Sequence, residues 1–310
     1  MAMGVALGLL AAAFWGVADF CIRGATQAAG TFRTLYFDQF FGLLVFAVVI
    51  EPWSPLSFAG ATPELTLAAI GLNLVILAGA ALLYRAFTIG SLSLISPIAA
   101  SFGAITAALS LLSGERPSAA QLAGIALTLV GVGLAGTHAG SAHDASAPQR
   151  GVRLGKGVPE VLLATAIFGV TYWALRFITP EMGGAQVALI GKITDLTALT
   201  LIVAAGWLWR RSGWSPGMMP AGTQAVSAPL APRGARFWVW IIPAGALDVS
   251  ANIFYNIGIT TALTSIVVTL SSLFTAFTVL LAWLFLRERL ARWQWAGVAL
   301  ILAGIVLVNI

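Results

Sequence analysis

The sequence predicts an all-α membrane protein whose ten transmembrane helices form two inverted five-helix repeats. Three observations support this fold class: the composition, the spacing of apolar runs and an internal repetition. Hydrophobic residues make up 59% of the 310 positions and charged residues only 9%, whereas an ordinary soluble domain carries about 25% charged residues. We therefore expect most of the surface to face lipid rather than water.

Ten apolar runs are long enough to cross a membrane. A helix that spans the hydrocarbon core needs about 20 mostly apolar residues. The first run has no Lys or Arg before it and is longer than the apolar part of a signal peptide, so we expect it to be retained. By this measure the sequence predicts helices at 3–24, 31–50, 64–88, 92–113, 118–137, 157–178, 184–209, 237–261, 264–286 and 291–309.

Two parts of the sequence repeat each other at a nearly constant spacing. The first predicted helix resembles the sixth at an offset of 153 residues, which also superposes Arg23 on Arg176. The fifth resembles the tenth at an offset of 173, which superposes Glu115 on Glu288. Because matched charged residues occur in the same order in both parts, we interpret the sequence as a duplication.

The duplication divides the chain into two halves that lie oppositely in the membrane. We assign 1–137 to the first repeat, 138–156 to a linker loop and 157–310 to the second repeat. Each repeat contains five helices, so the second one enters the membrane from the other side. Inverted repeats of this kind occur in many secondary transporters, whose solute sites lie near the membrane midplane between the repeats.

Basic residues are distributed unevenly between the two sides of the predicted membrane. Of the sixteen Lys and Arg residues, thirteen fall on the side opposite the termini, Arg116 and Arg176 fall on the terminus side, and Lys192 lies within a helix. Because basic loops stay in the cytoplasm, both termini are predicted to lie outside it. The same short loops account for the net charge of +5 without a nucleic-acid partner.

The sequence lacks the residues that an intramembrane enzyme or an ATP-driven pump needs. Cys21 is the single cysteine, and His138 and His143 lie in or beside a predicted loop. These residues provide neither a zinc cluster nor a buried Ser–His pair, and no nucleotide-binding loop occurs. We therefore expect no enzymatic activity, no cofactor and no metal. A channel would need a ring of like charges or a filter segment, and neither is visible.

Polar and aromatic residues at mid-helix positions are candidates for lining a solute cavity. Such a cavity combines apolar walls with a few polar groups, and an aromatic face can contact an aromatic ring or an ammonium group. Trp and Tyr residues also form belts at the membrane interface. The predicted cavity residues are Trp15, Asn73, Tyr84, Trp173, Asn252, Tyr255 and Asn256.

Four ionisable residues inside predicted helices are candidates for coupling or gating. Asp38 lies in the second helix, Lys192 and Asp195 share a face of the seventh, and Asp248 lies in the eighth. Buried charges in a membrane are costly and face a cavity or a partner. For the first three, a neutralised structural cluster is the alternative to a proton-coupling or gating site.

Three further residues have a structural and a functional interpretation. Asp19 is expected to form an i, i+4 pair with Arg23 near the helix end, in preference to a role in transport. Glu115 is expected to anchor a helix end and form a salt bridge between the repeats. Pro97 removes a backbone hydrogen bond inside the fourth helix, so we expect a kink, and it is a candidate gating residue.

Three short segments resemble a known family. They are Leu-Tyr-Arg-Ala-Phe at 83–87, Ser-Gly-Glu-Arg-Pro at 113–117 and Leu-Arg-Glu-Arg-Leu at 286–290. With ten helices in two repeats, they resemble the EamA type of the drug/metabolite transporter superfamily. The chain departs from the family pattern at Pro117, where Leu is usual, and at Arg287, where Gly is usual.

The resemblance implies a monomeric carrier in the bacterial inner membrane that exports small solutes through a central cavity. The aromatic-rich composition is most similar to the aromatic amino-acid exporters of the family, which implies amino acids and related metabolites as solutes. The alternative is multidrug or organic-cation efflux, for which Asp19, Asp38 or Asp248 would be essential. An amino-acid carrier would instead depend on Trp173 or Tyr84.

Overall fold

A computed structural model describes residues 2–50, 61–90, 92–136, 156–211 and 234–286, together with residues 296–297, 299–300, 303–304 and 307. All regular structure in these ranges is helical. The first half contains α1 (Ala2–Ala29), α2 (Thr31–Val45, continued by the π-helical turn Phe46–Ile50), α3 (Pro63–Ile89), α4 (Leu92–Ala100), α5 (Phe102–Leu112) and α6 (Ala119–Gly136). The second contains α7 (Val158–Leu175), α8 (Thr179–Met182), α9 (Gly184–Arg211), α10 (Ala235–Thr261), α11 (Thr264–Ser271) and α12 (Phe274–Leu286).

Five of the described helices are long and apolar enough to cross a membrane: α1, α3, α7, α9 and α10. Their bounds follow the predicted runs within a few residues, and α1 continues five residues beyond its predicted end. The all-helical prediction is confirmed, and the count of ten spans stays a prediction. The predicted linker lies outside the described residues apart from Lys156, as do most of the tenth predicted helix, His138, His143 and Glu288.

Two predicted helices are interrupted near their middle. The run at 92–113 breaks at Ser101, and the run at 264–286 breaks at Ser272 and Leu273. In the second break the hydroxyl of Ser272 donates to the carbonyl of Val268, at 2.8 Å, and such back-bonding bends helices. Pro97 lies four residues before the first break, so the predicted kink takes the form of an interruption one turn further along.

The two breaks face each other at the centre of the molecule. Gly103 in α5 lies against Ser272, so close that a Cβ at position 103 would overlap its hydroxyl. The rings of Phe102 and Phe274 stack at 6.2 Å between centroids. Thr275 donates to the carbonyl of Ser96 at 3.0 Å. The broken helix of the first half and the broken helix of the second half therefore contact each other at their breaks.

Helix α1 packs closely along α10. Gly4 lies against Ala262 at one end of the pair, and Gly24 lies against the ring of Trp240 at the other. Small residues allow membrane helices to approach closely, as at these contacts. The same principle holds for Gly304 of the predicted tenth helix, which lies against Thr128 of α6.

Candidate solute-binding cavity

A cavity of about 100 Å³ lies between helices of both halves. Its walls come from α1, α2 and α3, from the two broken helices, and from α7, α9 and α10. Asp248 is the thirteenth residue after the start of α10, and α10 has 27 residues. The cavity therefore lies near mid-depth of the spanning helices.

One part of the wall is aromatic. The ring of Tyr172 lies 5.6 Å from that of Trp15 and 5.3 Å from that of Phe102, between centroids. Phe168 and Phe274 extend this surface. Offset and edge-to-face contacts at these distances are favourable, so the rings hold one another in place and present their free faces to the cavity.

Several wall residues are related by the offset that superposes α1 on α7. Both members of each such pair contact the same cavity. The pairs are Trp15 with Phe168, Asp19 with Tyr172, and Ile22 with Leu175. The two helices therefore contribute equivalent positions with different chemistry.

The remaining wall carries an excess of acidic groups. Asp19, Asp195 and Asp248 line the cavity, and Asp38 lies directly behind the wall with no solvent-exposed surface. Lys192 is the single Lys or Arg among the described lining residues. Four carboxyl groups therefore share one ammonium group in and next to this cavity.

Lys192 is at the centre of a hydrogen-bond network that joins four helices. Its Nζ lies 2.6 Å from Asp248 Oδ2 on α10 and 2.7 Å from Gln39 Oε1 on α2. The distance to Asp38 Oδ2 is 4.0 Å. Tyr84 donates to that same Asp38 oxygen at 3.0 Å. The network thus joins the first half to the second through a buried ammonium group.

Three buried oxygens next to this network have no hydrogen-bond partner. They are Oδ1 of Asp38, Oδ1 of Asp195 and Oδ1 of Asn256. Unsatisfied buried acceptors are rare in folded proteins and require an explanation. Asp195 and Asn256 belong to the cavity wall, although these two oxygens themselves are buried within it.

The structure brings together most of the residues proposed from sequence. Trp15, Asn73, Tyr84, Asn252, Asn256, Lys192, Asp195 and Asp248 line the cavity. Tyr255 lies behind it and donates to the carbonyl of Tyr172 at 3.3 Å. Trp173 lies outside it, where its indole donates to Ser113 at 3.0 Å. Pro97 lies in α4 and is not among the lining residues.

The interpretation of Asp19 changes. The expected pair with Arg23 is not formed: Asp19 faces the cavity, and the guanidinium of Arg23 donates to the carbonyl of Gly90 at 3.2 Å. The long Arg23 side chain extends away from Asp19 to the end of α3. The short Asp19 side chain stays at the level of its own helical turn, so the two charged groups do not meet.

Several lining residues were not proposed from sequence: Gln39, Phe102, Phe168, Tyr172 and Phe274. The duplication already contained a signal for two of them. The offset of 153 places Phe168 on Trp15 and Tyr172 on Asp19. Phe102 and Phe274 reach the cavity because they follow the helix breaks, which hydropathy does not indicate.

Glu115 holds the two halves together at the end of the bundle where Gly4 meets Ala262. Its two carboxylate oxygens accept hydrogen bonds from the backbone N–H groups of Thr264 and Ser265, each at 3.0 Å. It also forms a salt bridge of 3.1 Å with Arg176. A carboxylate is favourable at a helix N-terminus, where backbone N–H groups lack partners. This agrees with the expected helix-end anchor and inter-repeat salt bridge.

Comparison with known families identifies the chain. The EamA-like transporter family matches residues 2–137 and 155–310. The chain belongs to this family. It is therefore a multi-pass membrane transporter of the drug/metabolite type, which acts on small-molecule solutes. In the described part of the chain, no group of three or more His, Cys, Asp or Glu residues is placed to hold a metal ion.

The fold has a solved relative. A crystal structure titled only "Crystal structure of protein" matches with a TM-score of 0.65 and 15% sequence identity, over 98% of this chain and 95% of that one. At this identity the match shows the fold alone. No curated protein matches the chain, so the aromatic amino-acid exporters and the amino-acid solute remain expectations from sequence.

Proposed function

We propose that this EamA-like transporter is a secondary carrier that exports small organic cations, solutes that carry an ammonium group. The observation that carries this proposal is the excess of acidic groups at the cavity, where four carboxyl groups face one ammonium group. A buried negative charge without a partner is costly, and a cationic solute supplies the missing positive charge. The aromatic rings around Trp15 add a face on which a cation is attracted.

Amino acids are the second candidate. The aromatic surface suits an aromatic side chain, and the ammonium group of an amino acid suits the carboxyl groups. An amino acid also carries a carboxylate, which needs a cationic partner in a buried site. The ammonium of Lys192 is already bound by Asp248 and Gln39, so the geometry favours the cation.

The cavity is small for either solute. An engineered protein cavity that binds benzene has a volume of about 150 Å³, whereas this cavity has about 100 Å³. A solute with an aromatic ring therefore requires the walls to move apart. Alternating access through two inverted repeats provides such a movement, and no separate energy-supplying site is needed in the chain.

The proposed carrier has the membrane topology that the sequence predicts. It comprises ten spans, repeats at 1–137 and 157–310, a monomer in the bacterial inner membrane and both termini outside the cytoplasm. Gly4 of α1 lies against Ala262, and Glu115 binds the N–H group of Thr264 two residues further on. These contacts support placing all four residues at the same end of the bundle. Arg116 and Arg176 belong to that end, and Arg23 contacts Gly90 at the other.

The test is uptake into liposomes that contain the purified protein. Labelled benzyltrimethylammonium, which keeps its positive charge, is compared with labelled phenylalanine, and uptake by protein-free liposomes is subtracted. We expect saturable uptake of the cation at a higher kcat/KM than that of phenylalanine. Glu160→Gln is the control for charge removal outside the cavity, because the Arg85–Glu160 pair lies on the surface. Its uptake of the cation should equal that of the wild type.

The outcomes separate the two candidates. Saturable uptake of phenylalanine that benzyltrimethylammonium does not inhibit would establish an amino-acid carrier and overturn the cation proposal. Tetramethylammonium, which has no ring, then shows whether the positive charge alone is sufficient for binding.

A further inference from the structure

Lys192 occupies the position that a cationic solute needs. We propose that Lys192 is a tethered counter-ion, which the solute displaces from Asp248 and which then pairs with Asp38. This inference rests on the proposed function and specifies how the same cavity recognises its solute. It assigns Asp248 to binding the solute and Asp38 to receiving Lys192.

Asp248 is the more accessible of the two carboxylates. Its side chain is 18% exposed and lines the cavity, whereas that of Asp38 has no exposed surface. Asn252 donates to Asp248 Oδ1 at 3.2 Å, so one oxygen is held in place and the other binds Lys192. A solute ammonium group that enters the cavity therefore meets Asp248 in competition with Lys192.

Asp38 has a free acceptor for the displaced ammonium group. Its Oδ1 has no hydrogen-bond partner although it is buried, and Lys192 Nζ is already only 4.0 Å from the other oxygen. Asp195 Oδ1, three residues further along α9, is likewise without a partner. Lys192 would thus leave Asp248 without becoming an unpaired buried charge, which is strongly destabilising.

The Lys192 side chain lies closely against the helix that carries Asp38. The side chain of Lys192 lies over Gly42 of α2, where an added Cβ would come within 3.0 Å of its Cε. Glycine at this position lets the Lys192 side chain lie directly on the helix that carries Asp38. Because Nζ lies 4.0 Å from Asp38 Oδ2, the exchange requires Nζ to shift by about 1 Å to reach hydrogen-bond distance.

The exchange changes which helices the charge pair connects. Before it, the closest pair joins α9 to α10, both in the second half. After it, the pair joins α9 to α2, in the first half. Solute binding therefore strengthens a contact between the halves, and the solute adds one positive charge to a site with excess negative charge.

A different role for Lys192 predicts the opposite result. If Lys192 bound the carboxylate of a zwitterionic solute, its removal would weaken binding. If the solute displaces Lys192, its removal strengthens binding, because the competitor is gone. The sign of the change in Kd thus distinguishes the two roles.

The experiment is calorimetric titration of the purified full chain with benzyltrimethylammonium. We expect Lys192→Met to lower Kd about fivefold or more, the range of typical coupling between two ligands, and Lys192→Arg to retain a Kd near that of the wild type. In Lys192→Met combined with Asp248→Asn the gain should disappear. An unchanged or higher Kd for Lys192→Met overturns the proposal.

Asp38→Asn provides an independent test that does not depend on the folding of Lys192→Met. It removes the charge that receives Lys192, so we expect weaker binding of the cation although residue 38 does not line the cavity. An unchanged or lower Kd would overturn the displacement. Failure of the wild type to bind the cation would instead overturn the proposed function, and with it this inference.

Discussion

Helices α1 and α7 are related by the same sequence offset, yet they use charge in different ways. In α1, Asp19 faces the cavity and Arg23 contacts Gly90 nearer the helix end. The counterpart of Asp19 in α7 is the uncharged Tyr172. In α7 the charged contacts lie at the two ends, where Arg176 binds Glu115 and Glu160 binds Arg85. One helix thus brings charge to the solute, and the other uses charge to hold the halves together.

The largest difference between α1 and α7 is expected in the effect of substitutions at Asp19 and Tyr172 on solute uptake. Asp19→Asn removes a carboxylate that faces the solute, so kcat/KM for benzyltrimethylammonium uptake should fall more than about tenfold, as for truncation of a buried charge pair. Tyr172→Phe removes a hydroxyl whose contact to Asn252 is 3.5 Å long, so uptake should change by less than about threefold. A larger loss in Tyr172→Phe would reverse the comparison.

Stability is expected to depend on the charges of α7. Arg176→Gln leaves the buried Glu115 without its cation and should lower the free energy of unfolding by about 1–3 kcal/mol, less than for a fully buried pair because Arg176 is partly exposed. Glu160→Gln breaks an exposed pair and should cost less than about 1 kcal/mol. Thermal unfolding in detergent measures both. Equal shifts of Tm would show that Glu115 is held by the backbone N–H groups alone.

The smallest expected effect concerns the aromatic pair. Trp15 lies one helical turn before Asp19 on the same face of α1, and it lines the same cavity as Asp248, so we expect the indole to lie near a bound ammonium group. Trp15→Leu should therefore raise KM for the cation about threefold, in line with a cation–π contact of ~0.5–1 kcal/mol. Phe168→Leu, on the helix without the carboxylate, should raise it less. Uptake kinetics of both variants test this, and a greater dependence on Phe168 would place the ammonium group next to α7.

Hydropathy located the long helices but not the broken ones. The runs at 64–88 and 184–209 correspond closely to α3 and α9 because each is bounded by polar or turn-forming residues. The runs at 92–113 and 264–286 contain Ser and Thr but no charged residue, so their average hydropathy gives no boundary at Ser101 or Ser272. A local hydroxyl–carbonyl hydrogen bond accompanies the turn at Ser272, and both turns pack against the other half, which the hydropathy of a single run does not indicate.

The cavity was predictable only in part, because an apolar membrane helix does not indicate which face points inward. Asn73 and Asn252 were proposed from their polar character in apolar runs, and both lie on the wall. Trp173 was proposed on the same grounds and lies outside the cavity, since residues 172 and 173 point in different directions. Asp19 was assigned to a local pair because the i, i+4 spacing is visible in sequence and the facing rings are not.

The contacts of Glu115 have a consequence for the order in which the chain assembles in the membrane. This carboxylate and the N–H group of Thr264 that it binds are 149 residues apart. Until they meet, the N–H groups of Thr264 and Ser265 lack this partner. The final position of α11 therefore depends on a first half that supplies Glu115. Two half-chains, divided within the linker and synthesised separately, would each lack a contact that only the other supplies.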